Sequence, residues 1–315
     1  MQEQSNHGAS DSSRPSRFSR RQVLQATAGL AVAGSSMPLF ASRAEKDDQA
    51  MGDVAVKNNR IHQSVMGWCF KPMPAEELAA HCKAMGLKAI EGINPALYPK
   101  MREMGLDISL VSSHGFKTGV CNRDQHAQVV KILRERIDLA AASGYKSVIT
   151  FTGMLPKGVS HEQATKNCVE GWKKVVGHAE KKKINVCFEH LNTRDDTHPM
   201  KGHPGYFGDD VDHCIDMIKQ VNSQRLKLLF DIYHVQIMNG DVIRRIRQYK
   251  DFIGHYHTAG VPGRGELDDS QEINYPAVMK AIVETGYDAY VAQEFIPTWK
   301  DKVAALRHAV KLCDV

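Results

Sequence analysis

The chain has 315 residues, of which 42% are hydrophobic and 24% charged, with a formal charge of +5. That composition supplies one large core and excludes collagenous, low-complexity and membrane-dominated chains. Residues 1–44 hold five Arg against Glu3 and Asp11, so the remainder carries 36 basic and 34 acidic side chains, and a balance of +2 gives no electrostatic support to nucleic-acid binding.

In chain order, residues 1–44 read as a twin-arginine export leader. A polar, Ser-rich start leads to Ser19-Arg20-Arg21-Gln22-Val23-Leu24-Gln25, then a weakly apolar run over 26–40, then Ala41 and Ala44 as small residues for cleavage. The run is short and rich in Gly and Ala, so no membrane span is expected in the mature chain, and the expected compartment is periplasmic. Residues 45–60 read as a flexible segment. The seven cysteines are odd in number and form no CxxC pair, and Cys187 sits inside an apolar run. They are expected to be buried free thiols, since a buried thiol behaves as a small hydrophobe.

Strands are expected at 63–68, 88–92, 108–113, 147–152, 184–189, 226–231, 252–257 and 289–294. Helices are expected at 75–85 before Gly86, at 95–104 before Gly105, from an Asn122 cap to 143 before Gly144, and at 161–183. Further helices are expected at 209–221, through to about 248, and at 275–285 and 300–312. Eight strands alternating with helices argue for an α/β fold, a single (β/α)8 TIM barrel over 61–315, in preference to a doubly wound sheet. No GxGxxG or P-loop pattern competes with it. Two loops stand out, a long one at 191–208 and the glycine-bounded Gly260-Val-Pro-Gly-Arg-Gly265.

Four late stretches carry the chemistry: Val186-Cys-Phe-Glu189, Leu228-Leu-Phe-Asp231, Gly254-His-Tyr-His257 and Val291-Ala-Gln-Glu294. Each is an apolar or aromatic run stopping at a residue able to ligate a metal. In a parallel barrel the carboxyl ends of neighbouring strands converge on one mouth, so Glu189, Asp231, His257 and Glu294 are expected to meet. Three carboxylates packed together repel one another unless a cation sits among them. Oxygen-rich ligands with one imidazole suit a single divalent ion, Mn2+, Mg2+, Co2+ or Zn2+. Glu91 and His114, at the ends of the second and third strands, are placed to line the same mouth. Trp68 and Phe70 offer an apolar wall or core, and His190 is expected to face away from Glu189.

These ligand positions, with Asp231-Ile-Tyr-His234, His257-Thr-Ala-Gly-Val-Pro-Gly-Arg264 and Glu272-Ile-Asn-Tyr275, resemble hydroxypyruvate isomerase and the wider xylose isomerase-like TIM barrels. That superfamily also includes tagatose and psicose 3-epimerases, inosose dehydratases and endonuclease IV. The resemblance covers about residues 62–312. Its departures are His257, where some hydroxypyruvate isomerases carry an amide, the export leader, and a Lys- and His-rich addition within 191–208.

What the resemblance implies is a metal-dependent isomerase of a small α-hydroxy carbonyl compound: hydroxypyruvate, tartronate semialdehyde or an unphosphorylated keto-sugar. The substrate's carbonyl and neighbouring hydroxyl would bind the ion, which stabilises an enediolate. Glu189 and Glu294 would act as the acid/base pair and as ligands, with Asp231 and His257 as ligands only. His234 and Arg264 would contact substrate, Arg264 through its forked guanidinium. The alternatives are a sugar 3-epimerase, a lyase or dehydratase acting on a keto-sugar, and a non-catalytic sugar-binding protein. An endonuclease would need a basic groove that the charge balance does not supply. The expected partner is a small molecule, and related barrels form dimers or tetramers.

Overall fold

The computed structural model describes residues 54–315. The leader at 1–44 and residues 45–53 lie outside the described residues. The strands are β1 (His62–Val65), β2 (Ala89–Ile90), β3 (Asp107–Ile108), β4 (Ser147–Thr150), β5 (Asn185–Glu189), β6 (Leu226–Asp231), β7 (Ile253–Thr258) and β8 (Tyr290–Gln293). Between and after them come α1 (Ala75–Met85), α2 (Tyr98–Glu103), α3 (His126–Ser143), α4 (His161–Lys182), α5 (Val211–Val221), α6 (Ile232–Met238), α7 (Val242–Tyr249), α8 (Tyr275–Glu284) and α9 (Lys302–Cys313).

All strands pair in parallel, six of them in the order β1-β8-β7-β6-β5-β4, with β2 and β3 as a separate pair. That pair is joined to both edges of the six. Glu91 N–H donates to Val65 O at 2.9 Å on one side, and Val111 N–H donates to Ser147 O at 2.9 Å on the other. The ring therefore closes through all eight strands, the barrel expected from the alternation of elements.

Two expectations needed correction. The second and third strands are two residues each rather than five or six. The chain after β3 changes partner within three residues, from Ile90 O (Ser109 N–H, 3.4 Å) to Ser147 O, so a continuous ladder cannot form. The single helix expected up to about residue 248 is two, because Gly240 (φ 63°) and Asp241 (φ 53°) adopt the left-handed conformation that ends a helix. Elsewhere the punctuation works as read: Gly86 (φ 93°) and Gly144 (φ 79°) close α1 and α3. Asn122 caps a 3-10 turn, Arg123–Gln125, that feeds α3.

Side-chain alternation sorts the barrel into two layers. Phe188, Phe230 and Tyr256 face the helices; the Trp172 ring of α4 lies 4.7 Å from that of Phe188. Burying a side chain such as Phe188 contributes roughly 1.5–3 kcal/mol. Their neighbours point inward and divide the interior. One half is apolar, with Leu110, Ile149, Phe151, Cys187 and Leu229 in a cluster of their own. The other is polar: Ser64 and Ser109 hydroxyls lie 2.6 Å apart, and Ser109 donates to Glu91 Oε2 at 2.5 Å. All seven cysteines are free and buried, as composition suggested.

The end of the segment read as flexible is fixed in place. Ala55 and Val56 N–H groups donate to Met85 O at 2.9 and 3.0 Å. The Asp314 carboxylate accepts from the backbone of Lys57, Asn58 and Asn59 at 2.6, 2.8 and 3.1 Å. Among the described residues no helix is long and apolar enough to cross a membrane.

Candidate metal centre and active site

Glu189 and Asp231 close β5 and β6, His257 is the last residue but one of β7, and Glu294 follows β8 directly, so the four side chains leave the barrel wall at one height. Asp231 and His257 are register partners. One ligand atom from each of the four lies within 4.8 Å of all the others. The cluster is buried, with exposures of 5%, 0%, 0% and 4% in chain order.

Each side chain is oriented by a partner outside the cluster. Asp231 caps α6, its Oδ1 accepting from Tyr233 N–H at 2.8 Å, which leaves Oδ2 turned toward the cluster. His257 Nε2 lies 2.7 Å from Glu91 Oε1, a contact that keeps the proton on Nε2 and leaves Nδ1 as the nitrogen that would ligate a cation once its own proton is displaced. That Nδ1 lies 2.6 Å from Glu294 Oε2 and 3.3 Å from Glu189 Oε1. Yet none of these three atoms has a hydrogen-bond partner. Buried carboxylate oxygens and an imidazole nitrogen aimed at one point are what a cation satisfies, and three carboxylates with one imidazole fit the divalent ions named above.

The electrostatics show what the cluster does without a cation: burial lowers His257, but the charges of Glu294 and Glu91 outweigh it and hold the imidazole well above its usual range, so a proton stands where a metal would bind. Burial, aided by the charge of Glu294, raises the Glu189 carboxyl, and burial pushes Asp231 up to about 7 against the opposing charge of Arg264. Burial acts the same way on Glu294, but Arg264 and His257 outweigh it and hold that carboxyl down at about 2. Glu91, buried, is also driven below the usual carboxylate range by His255 and His257.

Arg264 reaches in from the loop after β7 and is 2% exposed. Its Nη2 lies 2.7 Å from Glu294 Oε2 and 3.2 Å from Asp231 Oδ2, and its Nη1 donates to Met200 O at 2.5 Å. Trp68 and Tyr233 flank the guanidinium, each with its ring centroid 5.5 Å away. His234 is fully buried beside the cluster; Asn192 N–H donates to its Nδ1 at 3.1 Å, and its Nε2 lies 3.4 Å from Asp231 Oδ2. Burial holds His234 well below the usual imidazole range, so it is neutral.

A cavity of about 270 Å3 opens over Glu189, Glu294 and Arg264. Its walls include Trp68, Phe116, Phe151, Leu191, Met200 and His203. Glu91 and His114 border it too, but their polar atoms are engaged elsewhere. Glu91 is held by His257 and Ser109, with His255 Nε2 at 2.9 Å. His114 donates from Nδ1 to Thr118 O at 2.9 Å, and its Nε2 lies 3.1 Å from the Thr150 hydroxyl. Phe70 belongs to the core against Phe295 and not to the pocket wall. His190 points away as expected, with Nε2 donating to Asp209 O at 2.9 Å.

Sequence reasoning missed three contributors. His255 stands two residues before His257, and strand alternation alone places it on the same inward face. Phe151 extends the inward face of β4 in the same way. His203 has no such signal, because the path of a long loop decides where it lands.

The fold is shared with known proteins. A 2-oxo-tetronate isomerase from Cupriavidus necator is 30% identical over 161 residues, 51% of this chain and 59% of that one. A putative hydroxypyruvate isomerase from Homo sapiens is 26% identical over 236 residues, 74% of this chain and 78% of that one. The chain thus spans less than two thirds of the first of these relatives. Among solved structures, an AP endonuclease of family 2 from Brucella melitensis superposes with a TM-score of 0.65 at 22% identity, covering 78% of this chain and 95% of that one. The pattern of the xylose isomerase-like TIM barrel matches residues 66–312, and the chain belongs to that family.

Proposed function

We propose that the protein is a metal-dependent isomerase of a small, unphosphorylated α-hydroxy carbonyl compound, the kind of reaction named for its hydroxypyruvate and 2-oxo-tetronate isomerase relatives. The observation that carries this reading is the convergence of Glu189 Oε1, His257 Nδ1 and Glu294 Oε2, none with a hydrogen bond among the described residues, at the base of a cavity that Glu189 and Glu294 line. Glu189, Asp231, His257 and Glu294 would hold one divalent ion, which when bound polarises a carbonyl and offsets the charge of an enediolate.

The chain's own residues supply the rest. Glu189 and Glu294 border the cavity and are the bases available to remove the C–H proton and return it. Aromatic and aliphatic walls exclude water from these carboxylates, which strengthens their interactions with substrate. Among the described residues the buried Arg264 Nε has no hydrogen-bond partner, which leaves a donor for a substrate carboxylate or hydroxyl. Among the described residues that line the cavity, Arg264 is the one Lys or Arg, and it stands beside Glu189 and Glu294, a setting that disfavours a phosphate group.

The test is proton exchange in D2O. Purified protein is supplied in turn with Mn2+, Mg2+, Co2+ and Zn2+ and with hydroxypyruvate, 2-oxo-tetronate and free ketoses, and products are read by NMR. Deuterium should enter beside the carbonyl of one compound, and Glu189→Gln or Glu294→Gln should slow its entry by roughly 100-fold or more. Deuterium on the neighbouring carbon marks an isomerase; deuterium on the same carbon with inverted configuration marks an epimerase. No incorporation with any pairing would refute the reading.

A further inference from the structure

His203 sits in the pocket wall with no side-chain hydrogen-bond partner among the described residues. The residue is 5% exposed, its ring packs at a 51° tilt against that of Phe116 with centroids 4.2 Å apart and lies 5.8 Å from His234, and neither ring nitrogen has a hydrogen-bond partner among the described residues. Its place is fixed by the backbone around it. His203 N–H donates to Asn192 O at 2.8 Å, Tyr206 N–H donates to His203 O at 3.0 Å, and the Asn192 amide donates to Lys201 O at 2.7 Å. Burial and the nearby Arg264 charge hold the imidazole down at about 4, so at neutral pH it offers one donor and one acceptor.

A group that satisfies both is a hydroxyl, which donates and accepts, whereas a carboxylate or carbonyl uses only the donor. His203 is outside the four-residue cluster that would hold the two oxygens at the reacting carbons, and it faces the cavity from the wall beside Phe116. We propose that His203 is a specificity-determining residue that hydrogen-bonds a hydroxyl on the substrate's chain beyond the reacting pair, and hence that the substrate is a polyhydroxy ketone or keto acid of at least four carbons. This rests on the isomerase reading and narrows its substrate class. In a three-carbon hydroxy-keto acid the third carbon is the carboxylate, and no hydroxyl remains for the imidazole.

The experiment compares metal-loaded wild type, His203→Ala and His203→Gln on hydroxypyruvate, 2-oxo-tetronate, erythrulose and fructose, with circular dichroism and melting curves to verify folding. Wild type should prefer a compound of four or more carbons. His203→Ala should lower kcat/KM for it roughly tenfold, the loss of about one hydrogen bond, while hydroxypyruvate changes less than about twofold. His203→Gln, which keeps a donor and an acceptor, should recover part of the loss. Equal losses on short and long compounds, no loss on either, or a wild-type preference for hydroxypyruvate would overturn the inference and leave the isomerase reading standing. A wild type that exchanges no proton on any compound removes both.

Discussion

Glu91 shows how much of a site lies behind its ligands. It touches no solvent, and its two oxygens meet His257, His255 and Ser109. By accepting the Nε2 proton of His257 it decides which ring nitrogen is left for a cation, a role that outer partners of metal-bound histidines commonly play. Glu91→Gln keeps the volume but can present its amide N–H to Nε2, favouring the wrong tautomer. Affinity for Mn2+, measured by calorimetric titration of the metal-free protein, should fall about 10- to 100-fold. Unchanged affinity would mean that His257 is set by the strand alone. At this scale the sequence was informative where position follows from alternation. Glu189, Asp231, His257 and Glu294 each end an apolar run, and barrel geometry does the rest. Arg264 and His203 depend on loop paths, so chemistry could suggest Arg264 from its glycine-bounded setting, but nothing marked His203 out from its neighbour His198.

Among the elements, helix ends were legible and helix continuity was not. Gly86 and Gly144 sit where an apolar pattern stops, but Asn239-Gly240-Asp241 interrupts a pattern that continues on both sides. The break is held by a neighbour in space. Asp210, the cap of α5, accepts from His213 N–H at 2.8 Å and from the Asn239 amide at 2.9 Å, and Asn239 accepts in return from Val211 N–H at 3.2 Å. The start of α5 and the end of α6 therefore stabilise each other. Asp210→Ala should cost about 1–2 kcal/mol, at the upper end for a cap because Asn239 loses a partner as well. Urea unfolding would read this as a lower midpoint at unchanged slope, with Mn2+ affinity preserved, since neither residue reaches the cavity. A loss of metal affinity would show that the break transmits strain to Asp231, at the other end of α6.

For the whole molecule, a ring of eight parallel strands gathers its acidic residues at one end, and the cost of that gathering sets how stability answers to pH and metal. In the metal-free protein Asp231 is pushed up to about 7 by burial, while in the unfolded chain it titrates near 3.8. Between those values the folded state holds a proton that the unfolded state has released, so this group's contribution to stability falls as pH rises from about 4 to about 7. Glu189, also raised by burial, acts in the same direction. Glu294, held at about 2, acts oppositely: its contribution is present above the unfolded value and is lost as pH falls toward 2. A divalent ion competes with the Asp231 proton, so its affinity should rise as pH passes through about 7. Saturating Mn2+ at 100 times its Kd would add about 2.7 kcal/mol. For a domain of this size that corresponds to a rise in Tm of roughly 5–10 °C at pH 8. At pH 5 the same total metal should raise Tm by much less, because protons occupy the site. Equal shifts at the two pH values, or none at pH 8, would show that the four strand ends do not close on a common ion.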